Sequence, residues 1–184
     1  MQDIINDAKS RMKKSVASLQ DEFNSLRTGR ASANLFDKIR VDYYGTPTPL
    51  NQVATVSVPE ARLVVIQPWD KGVLTEIEKA IQKSELSVNP SNDGKVIRIA
   101  IPPLTEDRRK ELVKVAKNHA EQGRVAIRNI RRSANDELKK QQKNGDISED
   151  DEKKGNDQIQ KLTDSFVKEI DELLDAKETE IMEV

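Results

Sequence analysis

Residues 106–142 read EDRRKELVKVAKNHAEQGRVAIRNIRRSANDELKKQQ. Leu112, Ala116, Ala120, Gly123, Ile127, Ile130, Ala134 and Leu138 recur there at steps of three and four, which makes one apolar stripe on a helix. Lys110, Lys114, Lys117, Arg124, Arg128, Arg131, Arg132 and Lys139 fall within an arc of about 100°, centred away from that stripe. One side of this helix therefore needs a core, and another presents a ridge of cations.

The partners for the apolar side lie at the two ends of the chain. From Asp3 to Leu26 the stripe is Ile5, Ala8, Met12, Val16, Leu19, Phe23 and Leu26. From Glu149 to Met182 it is Ile159, Leu162, Phe166, Ile170, Leu173 and Ile181. Thr105 and Ser148 stand at N-cap positions with acidic residues in the turn that follows, and Asn144-Gly145-Asp146 breaks the chain between the second and third helices. None of three such helices can bury its stripe alone, so the spacing predicts a three-helix bundle.

Between the first two helices the pattern changes to short β-branched runs at 38–43, 53–58, 63–66 and 96–101. A short helix carries Leu74, Ile77 and Ile81, and Gly45, Pro47, Pro49, Pro59, Pro68, Pro90 and Gly94 read as turns. The expected fold is α+β: a bundle from residues 1–30 and 105–184, with a small β/α/β domain inserted at 31–104. The insert is joined by two crossings, Gly29-Arg30-Ala31 and Pro102-Pro103-Leu104. Both are hinge candidates, because Gly loosens the first and paired Pro cannot continue a strand's ladder at the second.

Composition removes most chemistries. The 184 residues include no Cys and a single His, His119, which excludes zinc fingers, iron–sulfur sites, thiol nucleophiles and any triad not built on that imidazole. His119 lacks the second His, four residues on, of a zinc helix and is expected at a helix flank or in the core. There is no Gly-rich phosphate loop followed by Lys-Ser/Thr, and Glu149-Asp150-Asp151-Glu152 is the acidic first turn that the helix dipole favours. Tyr43, Tyr44 and Trp69 are expected to pack on the sheet. The chain is thus expected to be neither an enzyme nor a metal or cofactor binder. Without a signal peptide or an apolar run near the ~20 residues of a membrane span, it is expected to be cytoplasmic.

A net charge of −1 conceals a strong asymmetry: +2 for residues 1–30, 0 for 31–104, +6 for 105–145 and −9 for 146–184. A basic helix balanced by an acidic one is the plain explanation. The arginines argue for more, because guanidinium forks suit phosphate, and Arg124, Arg128, Arg131 and Arg132 step along one face. With no aromatic platform on that face, backbone and shape of a structured RNA fit better than stacked single strands. The rival reading is a helical adaptor or chaperone whose charged helices pair with a protein.

Six segments, taken together, resemble the bacterial ribosome recycling factors. They are RTGRA (27–31), YYGTPTPL (43–50), PPLTE (102–106), RVAIRNIRR (124–132), ISED (147–150) and QKLTD (160–164). The chain departs from that family's pattern at Ala33, Ser87 and Ser133. The resemblance implies a bundle and a smaller domain set at an angle like the outline of a transfer RNA, in a monomer that binds the post-termination ribosome through large-subunit ribosomal RNA. It further implies subunit splitting driven by elongation factor G and GTP. In those terms Arg124, Arg128, Arg131 and Arg132, with Arg27 and Arg30, would bind RNA, and the two crossings would be the joint; Lys117 joins the expected RNA-binding set from its place on the same ridge.

Overall fold

The computed structural model describes residues 1–86 and 88–183, so Ser87 lies outside the described residues. The helices are α1 (Gln2–Ser25), α2 (Leu74–Gln82), α3 (Glu106–Lys143) and α4 (Glu149–Met182). The strands are β1 (Arg40–Tyr43), β2 (Thr46–Pro49), β3 (Ala54–Glu60), β4 (Leu63–Pro68), β5 (Pro90–Asn92) and β6 (Ile97–Ala100). Two compact units result: Met1–Thr28 with Thr105–Val184, and Gly29–Leu104.

In the first unit the caps act where expected. Thr105 Oγ1 accepts from the Arg108 N–H, and Ser148 forms a reciprocal capping box with Asp151. α3 ends in a Schellman pattern: Asp146 N–H donates to Gln141 O and Gly145 N–H to Gln142 O, with Gly145 at φ +80°. Contacts between the helices set their directions. Met1 reaches Gln141 and Glu22 reaches His119, so α1 and α3 are antiparallel. Arg124 meets Asp171 and Leu138 lies against Gly155, so α3 and α4 are antiparallel too. Met1 near Gly155 and Thr28 on Glu180 make α1 parallel to α4.

The α1 stripe is buried from Ile5 to Phe23, whereas Leu26 is half-buried and caps the helix in an extended conformation. On α3 every stripe residue is buried except half-buried Gly123, where an added Cβ would lie 3.4 Å from both Ile170 and Leu19. The α4 stripe needs correction. Leu162 and Leu173 are only half-buried, while Thr163, Leu174 and Lys177 are buried. Thr163 satisfies its hydroxyl on Ile159 O, and Lys177 its ammonium on Glu180, so polar side chains occupy a face that apolar spacing does not reveal.

In the second unit β1 and β2 form an antiparallel hairpin, and the remaining strands form an antiparallel sheet in the order β3-β4-β6-β5. Val41, Val64, Ile66, Ile97, Ile99 and the α2 residues Leu74, Ile77 and Ile81 share one core. Of the prolines expected as turns, Pro59 lies near the end of β3 and Pro68 closes β4, and two whole stretches are strands: β2 carries Pro47 and Pro49, and β5 begins at Pro90. Both lie at sheet edges, where a missing N–H leaves no ladder bond unmade. Tyr43, Tyr44 and Trp69 do not pack into this core. They are 38%, 72% and 65% exposed, because β1–β2 ends in a projecting turn and β4 ends before Trp69.

Candidate nucleic-acid interface

The cationic ridge of α3 is divided along its length by α4. Its inner edge faces acidic residues of that helix. The Arg124 side chain is only 19% exposed, donating from Nε (2.9 Å) and Nη2 (2.6 Å) to Asp171 and from Nη1 to Glu121 (3.1 Å). Burial alone would lower its pKa; the bonds from Asp171 and Glu121 outweigh that and hold it above the ordinary arginine value. Half-buried Arg131 donates to Gln160 at 3.2 Å, and Gln160 in turn donates to Asp164. Lys117 lies 3.9 Å from Glu178 and keeps 61% of its side chain exposed.

The outer edge is different. Arg128 reaches only Glu121, at 3.4 Å, with 45% of its side chain exposed. Arg132, Lys114 and Lys139 are exposed, and among the described residues none of them has an acidic partner. Asn129 and Val125 are exposed beside them. This outer row is a positive strip, weakly paired at Arg128 and otherwise without an acidic partner among the described residues, able to give charge-assisted hydrogen bonds to phosphate.

Arg27 is exposed just beyond the end of α1 in the same unit. Arg30 is exposed and belongs to the other unit, beside Gly29 and Ala31. At the crossings Gly29 adopts φ +76°, a conformation that favours glycine, and a Cβ there would approach Leu104 Cγ to 3.0 Å. Ala31 donates to Ala61 O, Ile101 to Arg62 O, and Pro102 and Pro103 follow, exposed and outside any strand. His119 lies at the α1–α3 seam, Nδ1 2.8 Å from Glu22. Among the described residues no cluster of His, Asp and Glu could hold a metal, and no helix is long and apolar enough to cross a membrane.

Sequence reasoning missed Thr28, Lys177 and Glu180. Thr28 Oγ1 donates to one Glu180 oxygen and Lys177 Nζ to the other, each at 3.0 Å, which ties the last residue before the first crossing to α4. The only sequence signal was a lysine on the apolar phase of α4.

With this geometry in place, comparison with known proteins is decisive. Residues 19–182 match the family model described as ribosome recycling factor. The chain belongs to the ribosome recycling factor family. It is 63% identical to the ribosome-recycling factor of Treponema denticola, covering 100% of this chain and 99% of that one. It is 60% identical to that of Desulforamulus reducens over the full length of both. A solution structure of a ribosome recycling factor is 45% identical, with a TM-score of 0.75 over 100% of this chain and 97% of that one. A second match is the Thermus thermophilus ribosome recycling factor, described with Escherichia coli elongation factor G on the post-termination complex. It is 48% identical with a TM-score of 0.63, covering 99% and 98%.

Proposed function

We propose that this chain recycles ribosomes in the cytoplasm as a non-enzymatic, monomeric factor. It binds the post-termination ribosome through large-subunit ribosomal RNA and, with elongation factor G and GTP, promotes its splitting into subunits. Family membership over almost the whole chain supports the activity. The observation that carries the binding reading is the outer row of α3, where Arg132, Lys114 and Lys139 have no counter-charge among the described residues and Arg128 has a weak one. The RNA-facing set is then led by Arg128 and Arg132, with Arg131, Lys117 and Arg27 at its margins. Arg124 serves chiefly to fasten α3 to α4. The inserted unit is the part the elongation factor displaces, and Gly29–Ala31 with Pro102–Leu104 is the joint.

The test is conversion of polysomes to subunits by the purified protein with elongation factor G and GTP, together with its salt-dependent binding to large subunits. Arg132→Ala is expected to weaken binding by ~1.5–3 kcal/mol and to reduce the slope of log K against log salt by about 0.7–0.9. No polysome breakdown, or wild-type binding by the variant at physiological salt, would overturn the reading.

A further inference from the structure

The charges that face each other across the α3–α4 seam recur every seven residues. On α3 the row is Lys117, Arg124 and Arg131; on α4 it is Asp164, Asp171 and Glu178. Seven residues are close to two helical turns, so each row keeps to one face, and in an antiparallel pair the rows meet in opposite order. Two rungs close as ion pairs: Lys117 with Glu178 at 3.9 Å and Arg124 with Asp171 at 2.6 Å. The same step brings Arg131 opposite Asp164, and there the ladder is interrupted.

Gln160, one turn before Asp164, stands between the two charges. Its Nε2 donates to Asp164 Oδ1 (2.8 Å) and its Oε1 accepts from Arg131 Nη1 (3.2 Å). The amide has one usable orientation, because a guanidinium only donates and an ionised carboxylate only accepts. Asp164 is exposed and has no ion pair among the described residues, and the Arg131 guanidinium makes no second bond to them. Arg124, by contrast, commits three nitrogens to two carboxylates. A hydrogen bond between two ionised groups is roughly twice as strong as one between neutral groups. To reach a phosphate, Arg131 gives up one long bond to a neutral oxygen, whereas Arg124 would exchange one anion for another and gain little. The difference between the two arginines thus lies in what α4 presents to them.

We propose that Gln160 is a positioning residue for RNA binding: it holds the Asp164 carboxylate away from Arg131 and offers the guanidinium a neutral oxygen, so that Arg131 stays available to a phosphate of structured RNA. This rests on the function proposed above, and Gln160 acts through Arg131. The experiment measures binding to purified large ribosomal subunits across a salt series, alongside thermal melts. Gln160→Glu supplies the missing carboxylate; Gln160→Ala removes the spacer and leaves Asp164 a rotamer change away from the guanidinium. Both are expected to weaken binding about three- to tenfold and to lower the slope of log K against log salt by about 0.7–0.9, the loss of one phosphate contact. Their melting temperatures should equal or exceed that of wild type, so that binding falls while stability does not. Adding Asp164→Asn to Gln160→Ala should restore affinity and slope, and neither substitution at 160 should weaken binding further in an Arg131→Ala background.

Unchanged affinity and slope in folded Gln160→Ala would overturn the proposal. So would an equal loss in the Arg131→Ala background, because residue 160 would then act by its own contact or charge. Wild-type binding by Arg131→Ala would overturn it as well, while leaving the Arg128 and Arg132 contacts standing. Absence of binding by the wild-type chain would instead remove the parent function.

Discussion

Arg124 and Asp171 meet across the α3–α4 seam at two points, Nε and Nη2 lying 2.9 and 2.6 Å from the same carboxylate oxygen. The residue that looks most like part of an arginine-rich RNA face is thereby neutralised within the protein. Arg124→Ala is expected to cost about 0.5–1.5 kcal/mol of stability and to change the salt slope of ribosome binding little. Arg132→Ala should do the opposite. Paired denaturant melts and salt titrations check this; a large loss of binding in a fully stable Arg124→Ala protein would put Arg124 on the RNA side.

A second contrast lies one residue apart. Ile127 is fully buried, whereas the Arg128 side chain is 45% exposed and reaches Glu121 only at 3.4 Å. Ile127→Ala is expected to destabilise the bundle by ~2–5 kcal/mol through the cavity it leaves. Arg128→Ala should stay within about 0.5 kcal/mol of wild type. Urea unfolding gives both values, and the reverse order would be incompatible with this helix phase.

Acid should act on the start of α4. Bonds from the Ser148 N–H, and then from its hydroxyl, hold the Asp151 carboxyl below its ordinary 3.8. A carboxyl whose pKa is lower in the folded state contributes stability that is complete above the unfolded value and is lost as pH falls through the folded one. Wild type should therefore melt higher than Asp151→Asn at neutral pH, and the gap should close below pH 3.8. A gap independent of pH would show that the charge on Asp151 does not contribute.

At the first crossing, Gly29 at φ +76° faces Leu104, with only 3.0 Å available to a Cβ. Gly29→Ala should cost about 1–2 kcal/mol from backbone conformation alone. Trp69 is the sole tryptophan and belongs to the inserted unit, so its fluorescence follows that unit's unfolding directly. If Gly29 and its neighbours are the joint, the variant should also split ribosomes more slowly at unchanged ribosome affinity. Wild-type melting would mean the backbone relaxes freely at this position.

The three long helices, their caps and the β-branched strands were legible in the linear chain, because each depends on neighbours within a turn or a few residues. The Thr105 and Ser148 caps need only the amides three positions on. Pro-bearing β2 and β5 were not legible, since they exist only by pairing with β1 and β6. The candidate site divides in the same way. A helical projection places eight cations on one face of α3, yet which of them remain available to a ligand depends on Asp171, 47 residues from Arg124, and on Gln160, 29 residues from Arg131. Lys177 looks like a surface charge and is buried, its ammonium on half-buried Glu180, while Tyr44 and Trp69 look like core and are held outside by Asp70 and Thr55. Local periodicity determines which elements form and which sides of them are apolar. Only tertiary packing decides which polar groups are already satisfied, because the partners come from distant parts of the chain and solvation is set by what covers each group.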